Sequence, residues 1–254
     1  MLTEVAPGVL VATSEFALTT TTVVAGAGGG CLVIDPGVMV AELTGLAAAL
    51  DRRGLRPGAG WSTHPHWDHV LWCRELGDVP RFASATAVAQ AQADRASLLQ
   101  EAGQVAPGHD PGWFAQLTAL DPAAGAIPWD GPAAQVIIHD GHAPGHGAVF
   151  LPETGTLIAG DMCSDVEIPL LDLDGADPLG DYRAGLDRLA ALAGLRQVVP
   201  GHGRVADAAE FRRRVAADLA YLDALEAGVP CEDSRLAEDW LRAEYSKQRR
   251  FTRS

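Results

Sequence analysis

Apolar residues along the chain fall into two kinds of run. Short, β-branched segments that alternate with polar positions or stay continuously apolar predict strands over residues 8–12, 16–24 and 31–34. Residues 26–30 read as a Gly-rich turn between the last two, and Asp35-Pro36-Gly37 closes the third. Residues 40–52 have the spacing of an amphipathic helix, stopped by Gly54 and Pro57. Helix is also predicted over residues 69–76 and 84–102, followed by an irregular excursion rich in Pro, Gly and Trp over 103–132. Strands return at 135–139, 148–151 and 156–159, then a helix at 182–192 and a strand at 197–199. Two closing helices occupy 206–226 and 235–248. Each half therefore has strands first and helices later. That order suits a core of sheet packed on sheet, flanked by helices, within one domain spanning 1–254 with helices of about 206–250 packed on it.

Composition narrows the function classes. The 254 residues are 48% hydrophobic and 20% charged, an ordinary globular balance with enough chain for a well-buried core. With 33 acidic against 19 basic residues the formal charge is −14, which repels phosphate backbones and anionic membrane surfaces. No nucleic-acid or membrane partner is expected; a small-molecule substrate is, and the oligomeric state is not legible. Cys31, Cys73, Cys163 and Cys231 are scattered without Cys-x-x-Cys spacing, so reduced thiols are expected. The first ten residues carry Glu4, Pro7 and Gly8 and no basic start. They do not read as an export signal, and the expected location is the cytoplasm.

Chemistry is concentrated at His64-Pro65-His66-Trp67-Asp68-His69. Three imidazoles and a carboxylate within six positions, in a chain with only eight His, are a metal-ligand pattern rather than a chance surface loop. His64 and His66 point the same way on an extended segment, and Asp68 and His69 follow as the backbone turns. Three further candidates lie where a predicted strand meets a loop: His146 in Ala143-Pro144-Gly145-His146-Gly147, Asp161 in Gly160-Asp161, and His202 in Pro200-Gly201-His202-Gly203.

The ordered set His64-x-His66-x-Asp68-His69, His146, Asp161 and His202 resembles the metallo-β-lactamase superfamily, from about Val9 to Arg204, and specifically its glyoxalase II and lactonase-like branch. Ile34-Asp35-Pro36-Gly37 resembles the family's aspartate-glycine turn. The resemblance implies an α+β fold, a four-layer αββα sandwich with the site at one edge of the sheets. It implies two divalent metal ions, zinc first, with iron or manganese able to use similar ligands. His64, His66 and His146 would hold one ion, Asp68, His69 and His202 the other, and Asp161 would bridge them. Asp35 would fix a ligand imidazole. His142 competes with His146; the motif match favours His146, leaving His142 behind the ligands or structural. His109 and His139 match nothing in the motif.

The chemistry so implied is hydrolysis by a metal-activated hydroxide, with Asp68 orienting the water and carrying a proton. An ester, thioester or lactone is the expected substrate. A β-lactamase-like amide hydrolase, an iron-dependent persulfide dioxygenase and a catalytically silent binding protein are the alternatives. Trp67 and Cys163 are candidate pocket residues, Trp113, Phe114 and Trp129 could add an apolar wall, and Cys163 is otherwise structural. The acidic stretch 161–181 reads as a solvated loop, or more sharply as a rim favouring neutral or cationic substrates. The basic tail Lys247, Arg249, Arg250 and Arg253 matches no glutathione-contacting pattern.

Overall fold

A computed structural model describes residues 2–252, so Arg253 of the basic tail lies outside the described residues. Seven strands form the first sheet in sequence order: β1 (Thr3–Ala6), β2 (Val9–Thr13), β3 (Thr20–Ala25), β4 (Gly30–Ile34), β5 (Arg56–Trp61), β6 (Arg81–Ala83) and β7 (Thr118–Ala119). The second sheet has the order β12-β11-β10-β9-β8, from β8 (Gln135–His139), β9 (His146–Leu151), β10 (Thr156–Gly160), β11 (Gln197–Pro200) and β12 (Ala206–Asp207). Six helices accompany them: α1 (Val40–Asp51), α2 (Ala85–Ala93), α3 (Arg95–Val105), α4 (Pro178–Ala190), α5 (Ala208–Glu226) and α6 (Asp239–Phe251).

Side-chain alternation builds the four layers. In β4, Leu32 and Ile34 pack with Val149, Ile158 and Val199 between the sheets, whereas Cys31 and Val33 pack under Leu43, Leu46 and Leu50 of α1. In β9, Val149 and Leu151 join the inter-sheet layer, and Ala148 and Phe150 face Leu186 of α4, Tyr221 of α5 and Leu241 of α6. Strands apolar on both faces are what two buried faces require. The αββα reading is confirmed, and α5 and α6 share the apolar layer of the second sheet.

Several elements differ from the sequence reading, each for a tertiary reason. Residues 16–19 are a loop, not the start of a strand: Ala17 and Leu18 have φ of 47° and 53°, and Ser14 N–H bonds Thr19 O at 2.8 Å. No helix follows His69. Val70, Leu71 and Trp72 are buried in the first core cluster, and only Arg74–Leu76 forms a 3₁₀ turn. The helix expected over 84–102 breaks at Asp94 into α2 and α3. Strand β5 carries Pro57 and two glycines and had no strand signature. It pairs parallel with β4, and the Trp72 ring packs where a Gly60 side chain would stand. Arg235 belongs to a 3₁₀ turn (Ser234–Ala237) ahead of α6.

Candidate metal centre

The site lies where strand ends of both sheets meet. After β4, Asp35 adopts φ 46° and its carboxylate accepts the Thr63 N–H at 2.9 Å and the Thr63 Oγ1–H at 2.7 Å. From the other sheet, Gly147 N–H donates to Thr63 O at 2.7 Å, and Trp61 Nε1–H donates to Gly147 O at 2.8 Å. These bonds hold the segment 62–69 between the sheets. Asp161 follows β10, and His202 follows β11. Gly201 is required there, because a Cβ on it would stand 1.9 Å from Asp161 Oδ1.

Five imidazoles and two carboxylates converge. His66 Nδ1 lies 3.0 Å from both His64 Nε2 and His142 Nε2. His69 Nε2 and His202 Nε2 are 3.3 Å apart, with Asp68 Oδ2 3.6 Å and 3.4 Å from them. Asp161 sits between the groups, 3.4 Å from His64 and His142, 3.3 Å from His69 and 3.2 Å from His202. Two donor sets therefore form, His64–His66–His142–Asp161 and Asp68–His69–His202, and Glu167 adds a third with Asp161 and His202.

Hydrogen bonding at the outer ring nitrogens fixes which atoms face inward. Thr63 Oγ1 spends its proton on Asp35, so it accepts from His64 Nδ1–H at 2.9 Å. His142 Nδ1–H donates to Leu170 O at 3.0 Å and His202 Nδ1–H to Ala17 O at 3.1 Å. His69 Nδ1 stands 3.1 Å from Asp35 Oδ2. The Nε2 atoms of all four rings therefore face the centre, where a bound cation would take the place of any proton on them. Lone pairs 3.0 Å apart around His66 Nδ1 cannot all be satisfied by one proton, and Asp161 Oδ1 is buried without a hydrogen-bond partner. A divalent cation in each donor set satisfies all of them, so the residues fit the metal that the sequence implies.

The electrostatics agree. Burial pushes the His64 pKa well below its usual value, with His69 adding to the effect, and burial takes His142 down to about 3. Burial also opposes charge on His69 and His202. The carboxylates outweigh it, led by Asp161, and hold both well above the usual value. Burial likewise opposes charge on Asp161, but His202, His69 and His64 keep it well below the carboxylate range. The carboxylates thus draw positive charge into the buried cluster, the electrostatic counterpart of a cation site.

A profile of the Metallo-beta-lactamase superfamily matches residues 16–202. The chain belongs to the metallo-β-lactamase superfamily. Within this superfamily of metallo-hydrolases, a hydroxyacylglutathione hydrolase of Ruegeria pomeroyi is 29% identical over 188 residues, covering 74% of the chain and 65% of the relative. The chain thus matches under two-thirds of that relative's length. A beta-lactamase domain protein from Burkholderia ambifaria superposes with a TM-score of 0.69 at 24% identity, over 89% of the chain and 74% of the neighbour. TTHA1623, solved in a di-iron-bound form, superposes at 0.63 with 29% identity, over 80% of the chain and 96% of the neighbour. Among the described residues no helix is long and apolar enough to cross a membrane.

The third imidazole of the first donor set is not the one that the sequence reading chose. His142, with φ 74°, joins His64 and His66, whereas His146 stands outside all donor sets. His146 opens β9 on the face shared with Ala148 and Phe150, and its ring stacks between His64 and His139, with centroids 5.1 Å and 4.6 Å away. Its Nε2 accepts the Asp161 N–H at 3.2 Å, so it braces the aspartate from behind. Asp35 lies behind His69, its carboxylate 3.1 Å from His69 Nδ1. Cys163 does not line the cavity: it is buried in the outer apolar layer, where burial raises its thiol pKa well above the usual value. Trp67 does line the cavity and packs on Phe16 at 5.2 Å, but Trp113, Phe114 and Trp129 are elsewhere. His109 bonds Val38 O at 2.9 Å, outside the site.

The cavity over the cluster has a volume of about 1090 Å³. Two of its features escaped the sequence reading. Glu167, buried with its carboxylate 3.8 Å from His202 Nδ1, has its pKa raised to about 7 by burial, against His202 and with Asp161 and Asp68. In sequence it was one more acid in a stretch read as solvated. The second feature is α6, which supplies part of the outer wall.

Proposed function

We propose that the protein is a binuclear metal-dependent hydrolase of an ester, thioester or lactone. The observation that carries this reading is the convergence of imidazole lone pairs and two carboxylates at the floor of a cavity of about 1090 Å³. His64, His66 and His142 would hold one ion, Asp68, His69 and His202 the other, with Asp161 between them. Bound divalent ions would lower the pKa of a water towards neutrality and polarise the scissile carbonyl. Asp35, His146, Leu170 O and Ala17 O keep the ligands oriented. Asp68, at the cavity surface, orients the water and takes its proton. No serine or cysteine nucleophile is required, and the buried Cys163 is not one.

The name of the Ruegeria relative supports a thioester-type bond. Zinc is the proposed metal. The di-iron-bound neighbour favours iron as the second reading, and elemental analysis of purified protein decides between them. Four free cysteines suit the proposed cytoplasmic location. The test is a panel of thioesters, lactones, β-lactams and phosphodiesters offered to metal-replete protein. Turnover of an ester, thioester or lactone, abolished by chelation and by Asp161→Ala, is expected. No turnover of any of these, or full activity in Asp161→Ala, would contradict the reading.

A further inference from the structure

The cavity is a single space from the ligand cluster to the C-terminal helix, and its walls differ in chemistry from floor to rim. Phe16, Leu18, Trp67, Val166, Leu170 and Leu173 are among its apolar lining. Outermost stands α6, a helix beyond the span that matches the superfamily profile, which contributes Trp240 and Leu241. Leu241 is buried and anchors the helix to the core, whereas Trp240 keeps 49% of its surface exposed. A half-exposed indole on a cavity rim is an apolar surface available to a ligand.

Glu101, Asp172, Asp174, Glu238 and Glu244 line the same cavity. Among the described residues the one lysine or arginine lining the cavity is Lys247, and its ammonium lies 2.7 Å from Glu244. A strongly acidic mouth on a protein of net charge −14 lowers the local concentration of anions before any contact forms.

We propose that α6 and the 170–174 segment make this site selective for substrates with an extended apolar chain whose polar remainder is uncharged or cationic, and that they exclude glutathione thioesters. This rests on the hydrolase reading of the cluster. S-acylglutathione carries two carboxylates and one ammonium, and among the described residues the one lysine or arginine lining the cavity is already paired with Glu244. An alkyl chain fits along Leu170, Leu173 and Trp240, and each methylene added there raises affinity by up to about fourfold until the wall ends.

Non-hydrolysable thioethers separate this proposal from the hydrolase reading, because they need binding but no turnover. S-decyl-N-acetylcysteamine, S-decylthiocholine and S-decylglutathione are titrated calorimetrically into metal-loaded protein. The neutral and cationic ligands should bind at least about tenfold tighter than the glutathione ligand at low ionic strength. The gap should narrow in high salt, where the Debye length falls to about 3 Å at 1 M. Trp240→Ala should weaken the decyl ligands several-fold and leave butyl analogues unchanged, with circular dichroism confirming an intact fold. The paired reversal Asp174→Lys and Glu238→Lys, both at exposed positions, should improve S-decylglutathione binding. Equal or tighter binding of S-decylglutathione to the wild type, or Trp240→Ala with unchanged decyl affinity, would overturn the proposal. If the ranking holds but none of the matching thioesters, esters and lactones is cleaved, the hydrolase reading fails and the selectivity stands.

Discussion

Arg235→Met should be among the most destabilising single changes in the C-terminal part, and increasingly so as pH rises. The guanidinium bonds Asp218 at 2.6 Å and Asp233 at 2.7 Å, and donates to the carbonyls of Glu167 at 3.0 Å and Ser164 at 3.2 Å. It thereby ties the chain ahead of α6 to the cavity wall just after Asp161. Asp218 is 1% exposed, and burial raises its pKa to about 6 even with Arg235 beside it. Without the arginine that pKa rises further. The sign follows: a carboxyl whose folded pKa is raised destabilises the fold once pH exceeds its unfolded value, until it ionises in the folded state too. Near pH 5 Asp218 is largely protonated in both proteins, and the variant loses mainly its hydrogen bonds, about 1–3 kcal/mol per orphaned carbonyl. Above pH 6 the wild-type penalty levels off while the variant's continues to grow, by roughly 1 kcal/mol per pH unit. At pH 7 the sum is about 3–7 kcal/mol, which includes the range for breaking a buried pair. For a domain of this size that lowers Tm by about 6–28 °C. Because α5 and α6 share the apolar layer of the second sheet, one cooperative transition should carry the whole effect. Denaturant melts of metal-loaded wild type and variant at pH 5 and pH 8 test this. A loss below about 1 kcal/mol at pH 8, or one that does not grow between the two pH values, would refute the reasoning. Arg235→Met with Asp218→Leu should recover much of the stability, since an apolar pair replaces the charged one.

Two further predictions concern the scaffold behind the ligands. Burial takes the His139 pKa down to about 4, with Arg188 adding to the effect, so the folded state favours its neutral ring. That stability is complete above the unfolded value and is lost as pH falls from about 6.5 to about 4, on the order of 3 kcal/mol. His139→Phe should flatten the acid limb of the stability profile by that amount; an identical limb would contradict it. Gly160 has φ 57°, and a Cβ there would lie 2.3 Å from His146 Nε2. Gly160→Ala should therefore cost about 2–5 kcal/mol, from overpacking and left-handed backbone, and displace Asp161. A melt within about 0.5 kcal/mol of wild type would show that the brace is not needed.

The order of strands and helices pointed to a sheet-on-sheet core flanked by helices, and the resemblance to the metallo-β-lactamase superfamily, rather than periodicity, supplied the four-layer sandwich. Strand β5 was not legible, since Pro57, Gly58 and Gly60 carry no strand propensity and only pairing with β4 defines them. The sequence located most of the ligand cluster because its donors are dense at 64–69. The choice between His142 and His146 was misjudged on motif alignment. Strand alternation held the missing signal: His146 shares a face with Ala148 and Phe150, which points it into the core. The approach of Glu167 and α6 to the cavity had no local signal, because a loop and a terminal helix reach it only through tertiary packing.

The central claim is that His142, not His146, completes a pair of metal positions with the residues around Asp161. Metal content per folded chain, measured by elemental analysis after reconstitution and gel filtration, tests it most directly. Two equivalents in the wild type, about one in His142→Ala and two in the folded fraction of His146→Ala are expected. A wild type without divalent metal, or a loss that follows His146 and spares His142, would contradict it.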